Sequence, residues 1–547
     1  MKLSLQSRRE FLEFLGRSAA AASIATLSGG ALLSACASQP KQTNEMDLTQ
    51  LPFTPLKPLS VDALVLATGF GYSIIAKHGD NINGTQKFGM NNDYNAFFPL
   101  NKDATDGVLW VNHEDLNTVL IPGYTKTNRT KAAVAREQLE VGGSLIRIKQ
   151  DKKTKQWKMV KSDRHNRRIH GATQIPFVSE RPILGKTSAK GTLANCAGGV
   201  TPWGTVLTCE ENYHNFYGEV TYKADGTRDR VASTLHGWES ADDQPPEHYG
   251  WVVEINPFTG KAKKLVAMGR FARECATVVK TPSGKCVVYS GDDAANQCVY
   301  KFISDRPDSL ETGKLYVADT KNGKWISLSI EEQPLLKEKF KDQTDVLIRA
   351  REAAHLLGAT PLGRPEDVEI DPHTGDVLVA LTAHEVKGVP MGQILKISEN
   401  NRDHLSMIFK ASTFLMGGKE NGFVWPDNMA FDPAGNLWFT SDIAYYQAVK
   451  PEYKAFGNNG LFFVPMSGKN AGKAFQVASS PNDAEFTGPS FSPDGKTLFL
   501  SVQHPGEASK SLKELTSHWP GGGSTLPRSC VVAIQGPALD TIVQKTT

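Results

Sequence analysis

The chain has 547 residues, of which 22% are charged and 40% hydrophobic, and its formal net charge is +3. That length can bury a large core, and so even a charge balance, without a basic stripe, excludes a nucleic-acid partner. Charge therefore points to no macroion, and the search for function turns to individual clusters of residues.

The first element in chain order is a sorting segment. Ser7-Arg8-Arg9-Glu10-Phe11-Leu12 carries paired arginines followed by two apolar residues, and Ala19 to Leu33 is a weakly apolar, small-residue stretch. This resembles a twin-arginine export signal, which is set aside from fold reasoning. Leu33-Ser34-Ala35-Cys36 resembles a lipobox, in which the cysteine becomes the lipidated first residue. The expected organisation is a signal over residues 1–36, a polar tether over 37–60 and a catalytic domain over 61–547. No later stretch reaches the roughly 20 apolar residues of a membrane helix. The expectation is thus an exported, periplasmic or cell-envelope monomer that meets the membrane through its lipid alone.

From there the sequence reads as strands and turns. Trp251 to Ile255 alternates before the turn Asn256-Pro257-Phe258-Thr259-Gly260. Val368-Glu369-Ile370 runs into Asp371-Pro372-His373-Thr374-Gly375 and continues as Val377 to Leu381. Met429-Ala430-Phe431 runs into Asp432-Pro433-Ala434-Gly435, and Ser490-Phe491 into Ser492-Pro493-Asp494-Gly495. Pro and Gly at these places preset hairpin turns. The turns at Asp371, Asp432 and Ser492 are 61 and 60 residues apart. A strand-turn-strand unit recurring at that period predicts an all-β fold, a β-propeller of six blades. Lys126 to Gln138 and Glu331 to Leu357 carry the best helical patterns and are expected as insertions between blades.

Polar clusters adjoin many of these strands. Asn112-His113-Glu114 follows an apolar run, as do Glu210-Glu211 and Asp292-Asp293. Adjacent carboxylates at a strand end repel one another unless a cation intervenes, and hard oxygens suit calcium. Each cluster taken singly also reads as solvated side chains or a strand-edge ion pair. Cys196, in Asn195-Cys196-Ala197-Gly198-Gly199, offers either a metal thiolate or a buried inert thiol. A thiolate beside carboxylates points to a transition metal. Arg273-Glu274-Cys275 and Arg364-Pro365-Glu366-Asp367 each place a guanidinium next to a carboxylate. A carboxylate on metal beside a guanidinium on phosphate suits phosphoryl transfer. In the same reading Asn112 donates to a phosphate oxygen and Glu114 binds metal, while His113 is expected as a packed imidazole. Six cysteines follow Cys36, none with C-x-x-C spacing, and they define no disulfide pairing.

Taken together and in order, several motifs resemble the PhoX family of exported alkaline phosphatases. They are Asn112-His113-Glu114, Asn195-Cys196-Ala197-Gly198-Gly199, Thr201-Pro202-Trp203-Gly204-Thr205, Cys209-Glu210-Glu211-Asn212, Arg273-Glu274-Cys275-Ala276, Ser290-Gly291-Asp292-Asp293 and Gly363-Arg364-Pro365-Glu366-Asp367. The resemblance runs from about Phe88 to Gly506. It implies a propeller whose funnel holds iron and calcium and hydrolyses phosphomonoesters. Carried onto this sequence, it implies Cys196, Glu274 and Glu366 as iron ligands. Glu210, Glu211, Asp292 and Asp293 are implied as calcium ligands, and Arg364 as the residue that grips the substrate phosphate. Two other readings remain open at this point. One is a calcium-dependent propeller hydrolase of esters or lactones. The other is a noncatalytic propeller scaffold anchored at the membrane.

Overall fold

A computed structural model describes residues 51–544 apart from 224, 232–233 and 384–388. The export segment and lipobox lie outside the described residues. Six sheets of four or more strands succeed one another along the chain, antiparallel apart from one parallel pair in the second, between Ala262–Leu265 and Gln174–Val178. Each contributes one innermost strand: Asn92–Pro99, Asn195–Val200, Thr277–Lys280, Pro365–Ile370, Pro426–Phe431 and Glu485–Phe491. These six strands neighbour one another in a closed circle, which makes the sheets the blades of a six-bladed propeller, numbered 1 to 6 below.

Blades stack face to face, so their middle strands are covered on both sides and need no polar face. Val377–Leu381, Leu437–Ser441 and Gly460–Val464 are accordingly buried at every position. The circle is closed by the N-terminal strand Gly71–Lys77, which pairs with Cys530–Gln535 as the outer strand of blade 6. Val65–Leu66 likewise becomes the outer strand of blade 5. Residues 51–60, the end of the expected tether, pack on this body. Phe53 is buried against Phe463 and Phe70, and the Leu56 amide donates to the Gln476 carbonyl at 2.9 Å.

The periodic turns lie where the sequence puts them. Gly375, Gly435 and Gly495 have φ of +74°, +78° and +69°, the left-handed conformation that such a turn requires of its glycine. The helical expectations are shorter in fact. Pro334–Lys339, Gln343–Ile348 and Ala350–Leu356 do separate blades 3 and 4. Lys131–Glu137, however, connects the second and third strands of blade 1 and is no insertion between blades.

Strand direction places the functional end. Each innermost strand runs from the top face down to its turn, and the second strand returns to the top. The start of the one and the end of the other therefore meet at the same mouth in all six blades.

Candidate active site and metal centre

A cavity of about 760 Å³ opens at that mouth. It is built by one local device used repeatedly. In four blades the first paired residue of the innermost strand is followed by an irregularity or bulge, in the pairs Asn92–His113, Asn195–Glu210, Pro365–Leu381 and Pro426–Ser441, and in blade 3 the isolated bridge Arg273–Asp292 stands before the strand in the same place. The residue after the pair on the inner strand is then turned toward the axis. In blades 1 to 5 these residues are Asp93, Cys196, Glu274, Glu366 and Asp427, and all line the cavity. Just before the pair, Asn91, Ala194, Arg364 and Trp425 have φ between +39° and +51°, which redirects the chain into the bulge.

The second strand supplies an outer ring in the same way. The residue after its pair is Glu114 in blade 1, Glu211 in blade 2, Asp293 in blade 3 and Asp442 in blade 5. Blade 4 has Thr382 there, and its hydroxyl donates to Glu366. In blade 6 the pair is Glu485–Gln503, and His504 follows it.

Within the rings the donor atoms crowd together. Single ligand atoms of Cys196, Glu211 and Glu274 lie within 4.8 Å of one another, and so do those of Glu274, Glu366 and Asp427. Cys196 Sγ is 3.2 Å from Glu274 Oε1 and 3.4 Å from Asp93 Oδ2. Asn428 Nδ2 holds Glu274 Oε1 at 3.1 Å. Asp93 Oδ1 and Glu274 Oε2 are buried without a hydrogen-bond partner. Arg364 forks onto Asp293 through Nε and Nη2, both at 2.9 Å, and Nη2 lies 2.8 Å from Glu366. Its Nη1 takes part in none of these contacts.

The electrostatics follow from that crowding. Burial, followed by the neighbouring carboxylates, pushes the Glu114, Glu211, Glu274, Asp427 and Glu485 carboxyls well above the usual range. Burial also raises Glu366, and Arg364 only partly opposes it. Asp93 is pushed up by burial to about 7. The Cys196 thiol is raised by burial and then by Asp93 and Glu274. Asp293 is the exception: burial raises it, but Arg364 and other contacts prevail and hold it low. A buried group of carboxylates and one thiol, with two orphaned oxygens, is a donor set for cations. The residues present therefore fit a metal centre.

Three sequence expectations are corrected here. Glu210 precedes Glu211 on one strand, so its side chain points to the opposite face. There it meets Lys264 Nζ at 2.6 Å with both side chains fully buried, and it accepts the Gly250 and Trp251 amides. Asp292 turns away in the same manner and binds the Arg351 guanidinium, with Nε at 2.8 Å from Oδ2. Asn112 lies behind the cavity wall: Nδ2 donates to the Cys196 and Ala197 carbonyls, and Oδ1 accepts from Trp110 and Thr208. It positions the Cys196 backbone and has no amide left for a phosphate. His113 is a packed imidazole between the Met90 carbonyl and Ser144 Oγ. No disulfide joins the six cysteines among the described residues.

The sequence reading missed Asp93, Asp427, Asp442, Glu485 and His504. A signal for Asp427 existed, since Trp425-Pro426-Asp427-Asn428 repeats Arg364-Pro365-Glu366-Asp367 one 61-residue period later.

The family model for alkaline phosphatase PhoX matches residues 51–506. The chain belongs to the PhoX alkaline phosphatase family. Among solved structures it is similar to Pseudomonas fluorescens PhoX in complex with vanadate, a transition state analogue. The two share 28% identity at a TM-score of 0.78, over 90% of this chain and 98% of that one. A gluconolactonase from Xanthomonas campestris shares 11% identity over 88% of this chain and 98% of its own, at a TM-score of 0.35. A Dyadobacter fermentans protein of unknown function shares 11% over 86% and 100%, also at 0.35. No curated protein matches the chain. Membership makes the chain a metal-dependent phosphomonoester hydrolase acting on small phosphoesters, in place of the lactonase or scaffold readings.

Proposed function

We propose that the funnel is the phosphatase site, that iron and calcium supply its cations, and that Arg364 receives the phosphate. The observation that carries this is Glu274, which belongs to both groups of clustered donor atoms, one of them containing a thiol. Cys196, Glu274 and Glu366 would hold iron, since a thiolate favours a transition metal over calcium. Glu211, whose carboxylate adjoins that thiol, and Glu114, both all-oxygen donors from the second strands, suit calcium. When bound, these cations would neutralise the phosphate and stabilise the charge that builds on its oxygens. Arg364 orients the anion from the side, and Asp293 and Glu366 fix the plane of its guanidinium. Thr382 fixes Glu366 in turn, and Asn428 fixes Glu274.

The test compares Arg364→Lys with Glu366→Gln on an aryl phosphate. Lysine keeps the charge but not the fork. Turnover should fall roughly a hundredfold with metal content retained. Glu366→Gln should lose metal and activity together. Parent-rate turnover by Arg364→Lys would reduce Arg364 to a structural ion pair.

The same reading places the protein outside the cytoplasm, exported through Arg8-Arg9 and anchored by lipid at Cys36. Replacing both arginines with lysine should leave precursor in the cytoplasm, and Cys36→Ser should abolish acylation. Normal export of the double-lysine variant would sink the twin-arginine assignment.

A further inference from the structure

The funnel is roomier than a phosphate alone requires, and its volume lies within the range of small-molecule sites. Its floor is acidic, while stretches of its wall are not, among them an aromatic one. Two residues beyond Asp442 the lining continues as Ala444, Tyr445 and Tyr446, at the start of the short helix Tyr445–Ala448. The Asp442 carboxylate lies 3.8 Å from Arg364 Nη2, so this aromatic stretch follows closely in the chain on a residue that reaches the guanidinium assigned to the phosphate, and it lines the same cavity. Tyr445 is 39% exposed and Tyr446 60% exposed. Their ring centroids are 5.5 Å apart and their planes are perpendicular.

Two perpendicular rings make an open corner. A flat guest stacked on one ring meets the other edge to face, and both arrangements are favourable for aromatic pairs. A sugar or glycerol chain gains neither. A phosphate held at Arg364, above a floor of carboxylates, directs its ester oxygen and leaving group toward the mouth, where the corner lies.

We propose that Tyr445 and Tyr446 form a shelf for a planar aromatic leaving group, so that nucleoside monophosphates are preferred over sugar and glycerol phosphates. The proposal rests on the reading of the funnel as the phosphatase site. Stacking of a base on an aromatic ring is worth roughly five- to a hundredfold in binding.

The experiment measures phosphate release by the metal-replete protein from adenosine 5′-monophosphate and from ribose 5-phosphate. The two share one phosphoester and differ by the base. The parent should show a kcat/KM roughly tenfold higher for the nucleotide. Tyr446→Ala should bring the ratio close to one by raising KM for the nucleotide, with ribose 5-phosphate unchanged. Tyr446→Phe should keep the parent ratio. With the unaltered protein, free adenosine should compete with ribose 5-phosphate where free ribose does not. A parent ratio of one, or an unchanged ratio in Tyr446→Ala, overturns the shelf and leaves the funnel assignment standing. Equal loss on both substrates in Tyr446→Ala also overturns it. Retained metal and parent-rate hydrolysis of ribose 5-phosphate by Glu274→Gln would instead strike the funnel assignment itself.

Discussion

Two sets of buried carboxylates in this molecule have opposite fates. Inside the blades two fully buried acids each have a resident cation. Glu210 meets Lys264 at 2.6 Å and Glu399 meets Lys301 at 2.8 Å, with all four side chains fully buried. Glu399 also accepts from Tyr289 and Trp325. In the funnel the acids face one another. Arg364 reaches Asp293, Glu366 and Asp442, but none of its contacts is with Asp93, Glu274 or Asp427. Burying an unpaired charge is far more costly than burying a satisfied pair. Those two blade acids are thus neutralised within the polypeptide, whereas the crowded funnel donors call for cations from outside.

The most severe way to break this contrast is at Glu274, which both donor groups share. Glu274→Gln should lose metal and lower phosphatase turnover roughly a thousandfold, since metal cations supply several kcal/mol of transition-state stabilisation. Its metal-free form should melt no lower than the metal-free parent, because one repelling carboxylate is gone. Retained metal and turnover would show that the crowded donors are ordinary protonated acids. Next in size is the opposite case. Glu210→Gln strips Lys264 of its partner and should cost about 3–5 kcal/mol of stability in a denaturant titration. Metal content per folded molecule should stay at the parent value. A variant that kept its stability and lost its metal would restore Glu210 to the ligand set.

The difference between Glu210 and Glu211 also marks how far sequence alone reaches. The turn period gave the propeller, because Pro and Gly punctuate each blade at a fixed spacing. The paired acids Glu210-Glu211 and Asp292-Asp293 marked the right strand ends. Which acid of each pair faces the axis depends on register, and a slip of one residue exchanges the two faces. The bulge after each first pair is what sets that register, and it leaves no composition of its own in the sequence. Asp93, Asp442 and Glu485 stayed hidden for a related reason. Each is a single acid beside neutral neighbours, and only the circle of blades brings it to the others. Asp427 is different, since its likeness to Glu366 one period earlier was visible and went unused.

The smallest expected effect separates the two regions by pH. In the metal-free protein the funnel acids can relieve their repulsion only by taking up protons. Asp93 is held at about 7 by burial, against a carboxyl's ordinary value near 4. Between those values the folded state keeps a proton that the unfolded state has released. The stability tied to that proton is complete below the ordinary value and is lost as pH rises through the raised one. Metal-stripped protein should therefore melt a few degrees higher at pH 5 than at pH 8, a small shift because a body this size has a large unfolding entropy. Glu274, Asp427 and Glu485 are raised as well and act in the same direction. Metal-loaded protein should lose that dependence, because cations replace the protons. Asp93→Asn should weaken it in the stripped form. If stripped and loaded protein show the same melting profile between pH 5 and 8, the funnel acids are already neutralised by the chain, and the contrast with the blades disappears.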